Sequence, residues 1–320
     1  MQTVVGIDIG GTTIKLAIVR AGADGERHEI LRAAAIDTHA QEPGERIVAR
    51  LANAVRNLAS EAKVTIEGVG VGCPGLINNV TGEVVTSANL PSFRNFPLAK
   101  LLAQDLGVGV AVQNDANAAA LGEFEFGASA RGCRNMVLLT LGTGVGGGII
   151  CDGRLLTGAD NAAAELGHVK VEYGPDAPPC GCGGRGCIET YAGIAGIARI
   201  ATAILAETPT PKLATGTPST KAIALAAKEG DAVAKQILHT VGMYLGRGIG
   251  SFIDIFNPEK VILAGGASRA TPFLLPGIRQ SLEQYCSFGM TRDRVGIEAS
   301  GLADEINVLG AAAVFLDSRR

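Results

Sequence analysis

The sequence has no excess of positive charge. Its 28 Lys and Arg residues are outnumbered by 31 Asp and Glu residues, which gives a formal net charge of −3 at neutral pH. Binding to nucleic acid or to an anionic membrane surface depends on clustered positive charge. The sequence therefore predicts neither nucleic acid nor a membrane as a partner.

Long hydrophobic runs and a targeting segment are also missing. Residues 135–151 carry no charge, but glycines interrupt this stretch between positions 142 and 148. A membrane-spanning helix needs about 20 mainly apolar residues in a row. Met1 is followed almost at once by a predicted strand, which is unlike a secretory signal. We expect a soluble protein without a membrane span.

The seven cysteines do not form a disulfide framework of the kind found in small secreted proteins. Three of them lie close together, and the other four are isolated from one another: Cys73, Cys133, Cys151 and Cys286. A cytoplasmic location, where thiols stay reduced, fits this usage best. With 320 residues, 47% of them hydrophobic, the chain has room for two domains of about 150 residues each.

The three clustered cysteines form a group with one histidine. His168 is followed by Cys180, Cys182 and Cys187, with glycines in between that allow the backbone to bring three sulfurs onto one ion. A Cys₃His set is a closed tetrahedral shell for Zn²⁺, and it leaves no position open for water, so the predicted zinc is structural. The alternative is three buried thiols in a glycine-rich turn.

Two carboxylates bracket this group, Glu165 on one side and Glu189 on the other. A metal ion would fix the loop over residues 165–189. We expect it thereby to direct Glu165, His168 and Glu189 into a common cleft.

Residues 3–20 predict a strand, a tight glycine turn and a second strand. The turn holds four residues suited to phosphate binding: Gly10, Gly11, Thr12 and Thr13. No helix follows, so this is neither a Rossmann fingerprint nor a P-loop, but its N–H groups and hydroxyls could bind phosphate oxygens. Asp8 could order Mg²⁺ through water, and Lys15 is a further nucleotide candidate. The alternatives are an ordinary hairpin turn and a solvated lysine.

The same plan recurs over residues 136–151, where Thr143 and Gly144 lie in the turn. A second copy suggests two lobes of similar construction, each offering a phosphate-binding turn. A third glycine turn, Gly265 and Gly266, follows a strand that begins at Lys260. The alternative for this third turn is a simple strand ending.

Asn114 and Asp115 stand at a predicted strand-to-helix junction. Ligands gather at the carboxyl ends of strands in α/β sheets, and a helix N-terminus is a partial positive pole. Asp115 is therefore either the N-cap of the helix or a functional carboxylate. Hydrophobic periodicity predicts further elements: a strand and turn over 68–75, a strand over 107–113, and helices over 43–62, 97–106, 114–123, 231–257 and 303–316. Asp231 is the predicted N-cap of the helix over 231–257, and the Thr and Pro content of residues 207–218 predicts an exposed loop.

These motifs together resemble the ROK family of sugar kinases and sugar-responsive repressors. The family signature, Glu-x-Gly-His followed by Cys-x-Cys-Gly-x-x-Gly-Cys-x-Glu, is complete between Glu165 and Glu189. The resemblance implies an α/β, two-lobed actin-like ATPase (ribonuclease H-like) fold with an active-site cleft between the lobes. It predicts an N-terminal lobe over 1–118 and a C-terminal lobe over 119–302, with a helix over 303–320 that packs back on the first.

The activity implied by the resemblance is transfer of phosphate from ATP to a hexose, with the 6-hydroxyl of glucose as the favoured acceptor and Asp115 as general base. ATP, Mg²⁺ and structural Zn²⁺ are the implied bound groups, and a homodimer or homotetramer is the implied assembly. Gly265 and Gly266 would face the adenosine, and His168 would bind zinc through one nitrogen and the sugar through the other. The predicted sugar-binding residues are Gly75, Asn89, Asn114, Asp115, Glu165, His168 and Glu189.

Several alternatives stay open. Residues 89–98 and 122–127 resemble the glucokinase branch, but N-acetylglucosamine and N-acetylmannosamine are alternative substrates within the family. A sugar-sensing regulator would carry a DNA-binding helix-turn-helix ahead of the first lobe, whereas here the first predicted strand begins at Thr3 and the charge is acidic. An actin-like ATPase of the chaperone or filament type would have no use for the Cys/His group.

Overall fold

The computed structural model describes residues 1–22, 28–213 and 216–319. The chain divides into two compact units: unit 1 comprises Met1–Gly132, Leu155–Ala164 and Gly301–Arg320, and unit 2 comprises Cys133–Arg154 and Glu165–Ser300. The predicted lobe ranges, 1–118 and 119–302, stay a prediction, and Arg320 of the predicted last helix lies outside the described residues. Within the described ranges, no helix is both long and apolar enough to cross a bilayer.

The strands of the described residues are, in chain order, β1 (Gln2–Ile9), β2 (Thr13–Ala21), β3 (His28–Asp37), β4 (Gly68–Cys73), β5 (Leu76–Asn78), β6 (Glu83–Thr86), β7 (Gly109–Asn114), β8 (Met136–Leu141), β9 (Val145–Cys151), β10 (Arg154–Leu155), β11 (Lys260–Ala264) and β12 (Gly296–Ala299).

The α-helices of the same residues are α1 (Gly44–Ala62), α2 (Leu98–Leu106), α3 (Asp115–Phe126), α4 (Glu189–Ala192), α5 (Ile194–Glu207), α6 (Thr220–Lys228), α7 (Ala232–Phe256), α8 (Thr271–Tyr285), α9 (Gly289–Arg294) and α10 (Ile306–Asp317). The helices and strands predicted from periodicity are thus confirmed to within a few residues. The exposed loop predicted from Thr and Pro content over 207–218 includes Ala214 and Thr215, which lie outside the described residues.

Unit 1 is built on a five-stranded sheet in the order β3-β2-β1-β4-β7. β1 runs antiparallel to β2 and parallel to β4, and β4 runs parallel to β7. The carboxyl ends of β1, β4 and β7 therefore meet at one edge of the sheet. That edge is where ligands gather in α/β folds.

Helix α10 lies directly on this sheet because two strand residues have no side chain. A Cβ at Gly6 would lie 1.9 Å from the carbonyl oxygen of Val308, and one at Gly70 would lie 1.8 Å from that of Ala311. Contacts this short are forbidden, so only glycine at these two positions allows the close approach. The buried residues of β1, β2, β4 and α10 form the centre of unit 1.

Unit 2 repeats the plan with a sheet in the order β10-β9-β8-β11-β12. β8 is antiparallel to β9 and parallel to β11, as β1 is to β2 and β4. The carboxyl ends of β8 and β11 are therefore neighbours. The repeated strand–turn–strand pattern predicted from the sequence is confirmed.

Helices α7 and α8 of unit 2 pack unusually closely. A Cβ at Gly242 would lie 2.2 Å from the Leu274 oxygen, and one at Gly277 would lie 2.1 Å from the His239 oxygen. The predicted N-cap of α7 is also confirmed, since the Asp231 carboxylate accepts the N–H of the residue at N3 over 2.8 Å.

Candidate active site and metal centre

Asn114 caps helix α3, and Asp115 does not. The Asn114 side-chain oxygen accepts the N–H groups of Ala116 at 2.9 Å and Asn117 at 3.2 Å, and its amide donates to the Gly75 oxygen at 3.1 Å. Asp115 is the first residue of the helix, and its Oδ1 accepts only the N–H of Ala116, at 2.9 Å, among the hydrogen bonds of the described residues. The N-cap of α3 is therefore Asn114, and the exposed carboxylate of Asp115 is not used for capping and is available for chemistry.

The pKa of Asp115 is raised above the usual range of aspartate. The carboxylate reaches solvent, but the surrounding protein removes part of its hydration, and this desolvation disfavours the charged form. Hydrogen bonds from the backbone N–H groups of Ala116 and of Asp115 itself only partly offset the desolvation. A raised pKa makes a carboxylate a better proton acceptor at neutral pH.

Asp8 lies close to this carboxylate at the same edge of the sheet. Asp8 pairs with Gly72 across the parallel β1–β4 ladder, and a Cβ on Gly72 would lie 3.7 Å from the Asp115 Cα. Burial raises the pKa of Asp8, the hydrogen bond from the Asn307 amide opposes that shift, and the negative charge of Asp115 raises it further. Unit 1 therefore brings two carboxylates with raised pKa values to one place.

The first glycine turn connects β1 to β2 beside Asp8. The Gly10 N–H donates to the Thr13 oxygen over 3.0 Å, and a Cβ at Gly10 would approach that oxygen to 2.7 Å. Buried Thr38 anchors the turn, because its hydroxyl donates to the Gly10 oxygen at 2.7 Å and its N–H donates to the Thr12 oxygen at 2.8 Å. The carbonyl oxygens of Gly10 and Thr12 thus accept hydrogen bonds from within the protein. Gly11, Thr12 and Thr13 remain exposed.

Two further predicted residues lie beside this turn, and a third, Gly75, follows the end of β4. Asn89 adjoins it, since a Cβ at Gly11 would be 3.4 Å from the Asn89 Cβ. Lys15 is exposed and pairs with Asp8 across the β1–β2 ladder. Gly75 has a φ of +115°, and a Cβ there would lie 2.1 Å from the oxygen of the residue at position 86. The structure thus brings the predicted residues of unit 1 to the carboxyl edge of its sheet.

In unit 2 the second glycine turn is tied to Glu189. The Glu189 Oε2 accepts the N–H of Val145 at 3.2 Å, and a Cβ at Gly144 would lie 2.1 Å from that same oxygen. Thr143, between the two glycines of the turn, is exposed. The Gly/Thr turn and the predicted sugar-binding carboxylate thus form one packed group.

The third glycine turn lies next to the second. Gly265 has a φ of +82°, and a Cβ there would lie 2.6 Å from the oxygen of Leu141, the last residue of β8. Gly266 follows and is exposed. Both turns therefore stand at the ends of adjacent parallel strands.

The four predicted metal ligands converge. The donor atoms of His168, Cys180, Cys182 and Cys187 all lie within 4.8 Å of one another. The Cys182 and Cys187 sulfurs are 3.7 Å apart, and the Cys180 sulfur is 3.5 Å from His168 Nδ1. A tetrahedral ion with Zn–S and Zn–N bonds of about 2.3 and 2.05 Å has S–S and S–N edges of about 3.8 and 3.5 Å. The donor set therefore fits one tetrahedral ion.

Both predicted sugar-binding carboxylates touch this cluster. Glu165 Oε2 is 4.0 Å from His168 Nε2, the ring nitrogen that is not directed at the sulfurs. Glu189 Oε1 is 3.6 Å from the Cys180 sulfur, while its other oxygen contacts the second glycine turn. The geometry thus links the cluster, the two carboxylates and the turn within unit 2.

Arg199 belongs to this region but carries no motif that the sequence analysis could use. A groove of about 340 Å³ is lined by Thr143, Gly144, Glu189 and Arg199, among others. The exposed guanidinium of Arg199 donates to the Thr190 oxygen at 2.9 Å and stacks over a tyrosine ring at 5.2 Å. A fixed cation therefore shares a groove with a phosphate-type turn.

The model of the ROK family matches residues 4–318. The chain belongs to the ROK family. The predicted family is confirmed, and so is the two-lobed actin-like ATPase fold, because solved ROK sugar kinases superpose on the chain over nearly its whole length.

Three similar proteins illustrate this ROK membership. A glucokinase of Halalkalibacterium halodurans is 38% identical over 314 residues, which cover 96% of this chain and 92% of the relative. A glucokinase of Thermotoga maritima is 39% identical over 318 residues, covering 97% and 96%. The crystal structure of a ROK family glucokinase from Streptomyces griseus in complex with glucose and AMPPNP matches with a TM-score of 0.79 at 33% identity, covering 97% of this chain and 98% of that one.

Proposed function

We propose that this ROK protein is a glucokinase, which transfers the terminal phosphoryl group of ATP to the 6-hydroxyl of glucose. The observation that carries the proposal is the juxtaposition, at one sheet edge of unit 1, of an exposed carboxylate of raised pKa with a phosphate-type glycine turn. Identity to proteins named glucokinase over nearly the full length supports glucose as the substrate.

Asp115 is the general base of the proposed reaction. Phosphoryl transfer requires positioning and charge stabilisation more than covalent chemistry. Asp115 accepts the proton of the attacking hydroxyl, a role worth about 10²–10⁴ in rate. Its raised pKa suits that role, and the cap formed by Asn114 fixes the first turn of α3 that carries it.

The nucleotide is held by the glycine turns. Gly10, Gly11, Thr12 and Thr13 offer N–H groups and hydroxyls to phosphate, Thr143 and Gly144 do the same in unit 2, and Gly265 and Gly266 face the adenosine. ATP is used as its Mg²⁺ complex, and Asp8 and Lys15 are the side chains proposed for the metal and the phosphates.

The sugar is bound by short polar side chains and one glycine. We assign this role to Gly75, Asn89, Asn114, Asp115, Glu165, His168 and Glu189. The Asn114 oxygen already accepts two backbone N–H groups, so only its amide N–H remains for a hydroxyl. Glu189 and His168 are fixed by the cluster and the second turn, which makes them rigid partners for hydroxyl groups.

Zinc is the proposed occupant of the Cys/His cluster, held by His168 Nδ1 and the three sulfurs. A tetrahedral Zn²⁺ with four protein ligands supplies rigidity to the loop and keeps no open position. The loop in turn holds Glu165, His168 and Glu189 in place. The homodimer or homotetramer and the cytoplasmic location stay predictions.

A coupled assay of ADP release tests the proposed reaction, with glucose, mannose, fructose, N-acetylglucosamine and N-acetylmannosamine as acceptors. We expect the highest kcat/KM with glucose and a loss of about 10²–10⁴-fold in Asp115→Asn. Asp105→Asn, an exposed aspartate on α2 of the same unit, is the matched control and should be unchanged.

Two results would contradict the glucokinase proposal. A preference for an N-acetylhexosamine would replace glucose by a different sugar as the substrate of this ROK kinase. ADP release that does not depend on any sugar would indicate an ATPase.

A further inference from the structure

The ammonium group of Lys170 lies against the Cys/His cluster. Its Nζ is 2.9 Å from the Cys187 sulfur and 3.0 Å from the His168 carbonyl oxygen. Gly184 makes room for it, since a Cβ there would lie 2.8 Å from Nζ and 3.5 Å from the Cys182 sulfur. A half-buried cation therefore touches two of the four ligand residues and adjoins a third.

The backbone fixes this placement. Lys170 and Cys187 are directly opposed in an antiparallel bridge. The flanking hydrogen bonds run from the Val171 N–H to the Gly186 oxygen at 2.8 Å and from the Ile188 N–H to the Val169 oxygen at 3.0 Å. Directly opposed residues project on the same face of such a pair. The lysine is thus held beside the cysteine by chain pairing and not by its own flexible stem.

The charge of a loaded centre explains why a cation is needed there. Three thiolates and a neutral imidazole around Zn²⁺ carry one net negative charge. The loop over 165–189 contains one other permanently charged cation, Arg185, and it donates instead to the oxygens of Pro175 and Ala177. Of these two cations, Lys170 is the one that contacts a ligand sulfur.

We propose that Lys170 is the charge partner of the metal centre. Its ammonium neutralises the excess thiolate charge and donates an N–H to Cys187, so the ion leaves more slowly. Partners outside the ligand shell commonly contribute about 10–100-fold to metal affinity. Lys170 is a positioning residue, because it acts on glucose only through the loop that the ion fixes. The inference rests on the proposed zinc centre.

The rate of zinc transfer from the full-length protein to a chromophoric chelator tests this role. Lys170→Met keeps the apolar stem and removes the charge, and we expect it to release zinc about 10–100-fold faster than wild type. Lys170→Arg keeps the charge and should stay near the wild-type rate. Lys235→Gln, an exposed lysine of α7 in the same unit, should not change the rate.

The other outcomes show which part of the proposal is wrong, the metal centre or the role of Lys170. Wild-type protein purified without stoichiometric zinc would mean that the proposed centre is wrong. A zinc-loaded wild type with equally slow release from Lys170→Met would overturn the role of Lys170 and leave the centre intact. Equally fast release from the methionine and arginine variants would overturn the role of charge. If Lys170→Met does not fold, Lys170→Gln, which keeps an N–H donor without the charge, makes the same comparison.

Discussion

The amide of Asn307 donates a hydrogen bond to Asp8 Oδ2 over 3.1 Å, although 299 positions separate the two residues in sequence. Asp8 is the second-last residue of β1, and Asn307 lies in the first turn of α10. The bond engages one of the two carboxylate oxygens of Asp8. It also opposes the rise in the pKa of Asp8 that burial causes. The last helix of unit 1 therefore orients a carboxylate that is proposed to place Mg²⁺, and the same hydrogen bond favours its ionised form.

Replacing Asn307 with Leu should impair the use of MgATP selectively. A hydrogen bond to a charged group is worth roughly 1.5–3 kcal/mol, so we expect KM for MgATP to rise by about tenfold or more while KM for glucose stays unchanged. Steady-state kinetics with each substrate varied in turn makes the measurement. An equal rise in both KM values would indicate general damage to the unit. Unchanged kinetics would remove Asn307 from the site.

Asp115→Asn should make the protein more stable at neutral pH although it lowers the activity. The pKa of Asp115 is raised above 3.8 in the folded protein, so the native state binds this proton more tightly than the unfolded chain does. Stability from that proton is present below the unfolded pKa and is lost as pH rises through the folded pKa. Removing the charge removes the loss.

Thermal unfolding of the Asp115→Asn variant and wild type at about pH 7.5 and about pH 5 tests this sign. We expect a higher Tm for the variant at the upper pH and a smaller difference at the lower pH. A variant less stable than wild type at the upper pH would show that the carboxylate makes a stabilising contact instead. In wild type, kcat/KM should fall on the acid side at a pH above 3.8.

Gly144→Ala should weaken glucose binding by displacing Glu189. The new Cβ would lie 2.1 Å from Glu189 Oε2, and forced shifts of this kind cost typically 1–3 kcal/mol, or roughly 5–150-fold in affinity. Gly142→Ala is the matched control in the same turn, because a Cβ there meets nothing within 4 Å. Isothermal titration with glucose compares the two variants. Equal affinities would show that Glu189 does not contact the sugar.

Arg199→Met should raise KM for ATP more than KM for glucose. The guanidinium shares a groove with Thr143 and Gly144, and a charge-assisted bond to phosphate is worth roughly 1.5–3 kcal/mol. Arg247→Met is the control, since its guanidinium also stacks on a tyrosine ring, at 4.9 Å, but does not line the groove. If both variants behave alike, the stacking of arginine on tyrosine matters and the groove does not.

Much of the fold and part of the site could be predicted from the sequence, because the signals are local. The strand–turn–strand pairs, the N-cap at Asp231 and the convergence of the Cys/His group each depend on residues within one short stretch of the chain. A dense cluster such as Cys180, Cys182 and Cys187 needs only a short loop to bring its atoms together. Such patterns survive in one dimension.

The remaining features depend on contacts whose residues carry no recognisable pattern in the sequence. Asn307 reaches Asp8, and Lys170 reaches Cys187, only after strands and helices have packed, and neither has a motif of its own. The cap at α3 was also ambiguous, since Asn114 and Asp115 both suit the position; the choice follows from φ and ψ at the end of β7. Sequence alone does not supply those angles.

The glycines beneath α10 have a consequence for synthesis. Gly6 and Gly70 are made early, but the helix that lies on them follows every element of unit 2 along the chain. We expect unit 2 to become protected from hydrogen exchange first on a growing polypeptide. The face of β1 and β4 that α10 covers stays exposed until α10 has been made. Early protection of β1 in chains halted before residue 301 would refute this order.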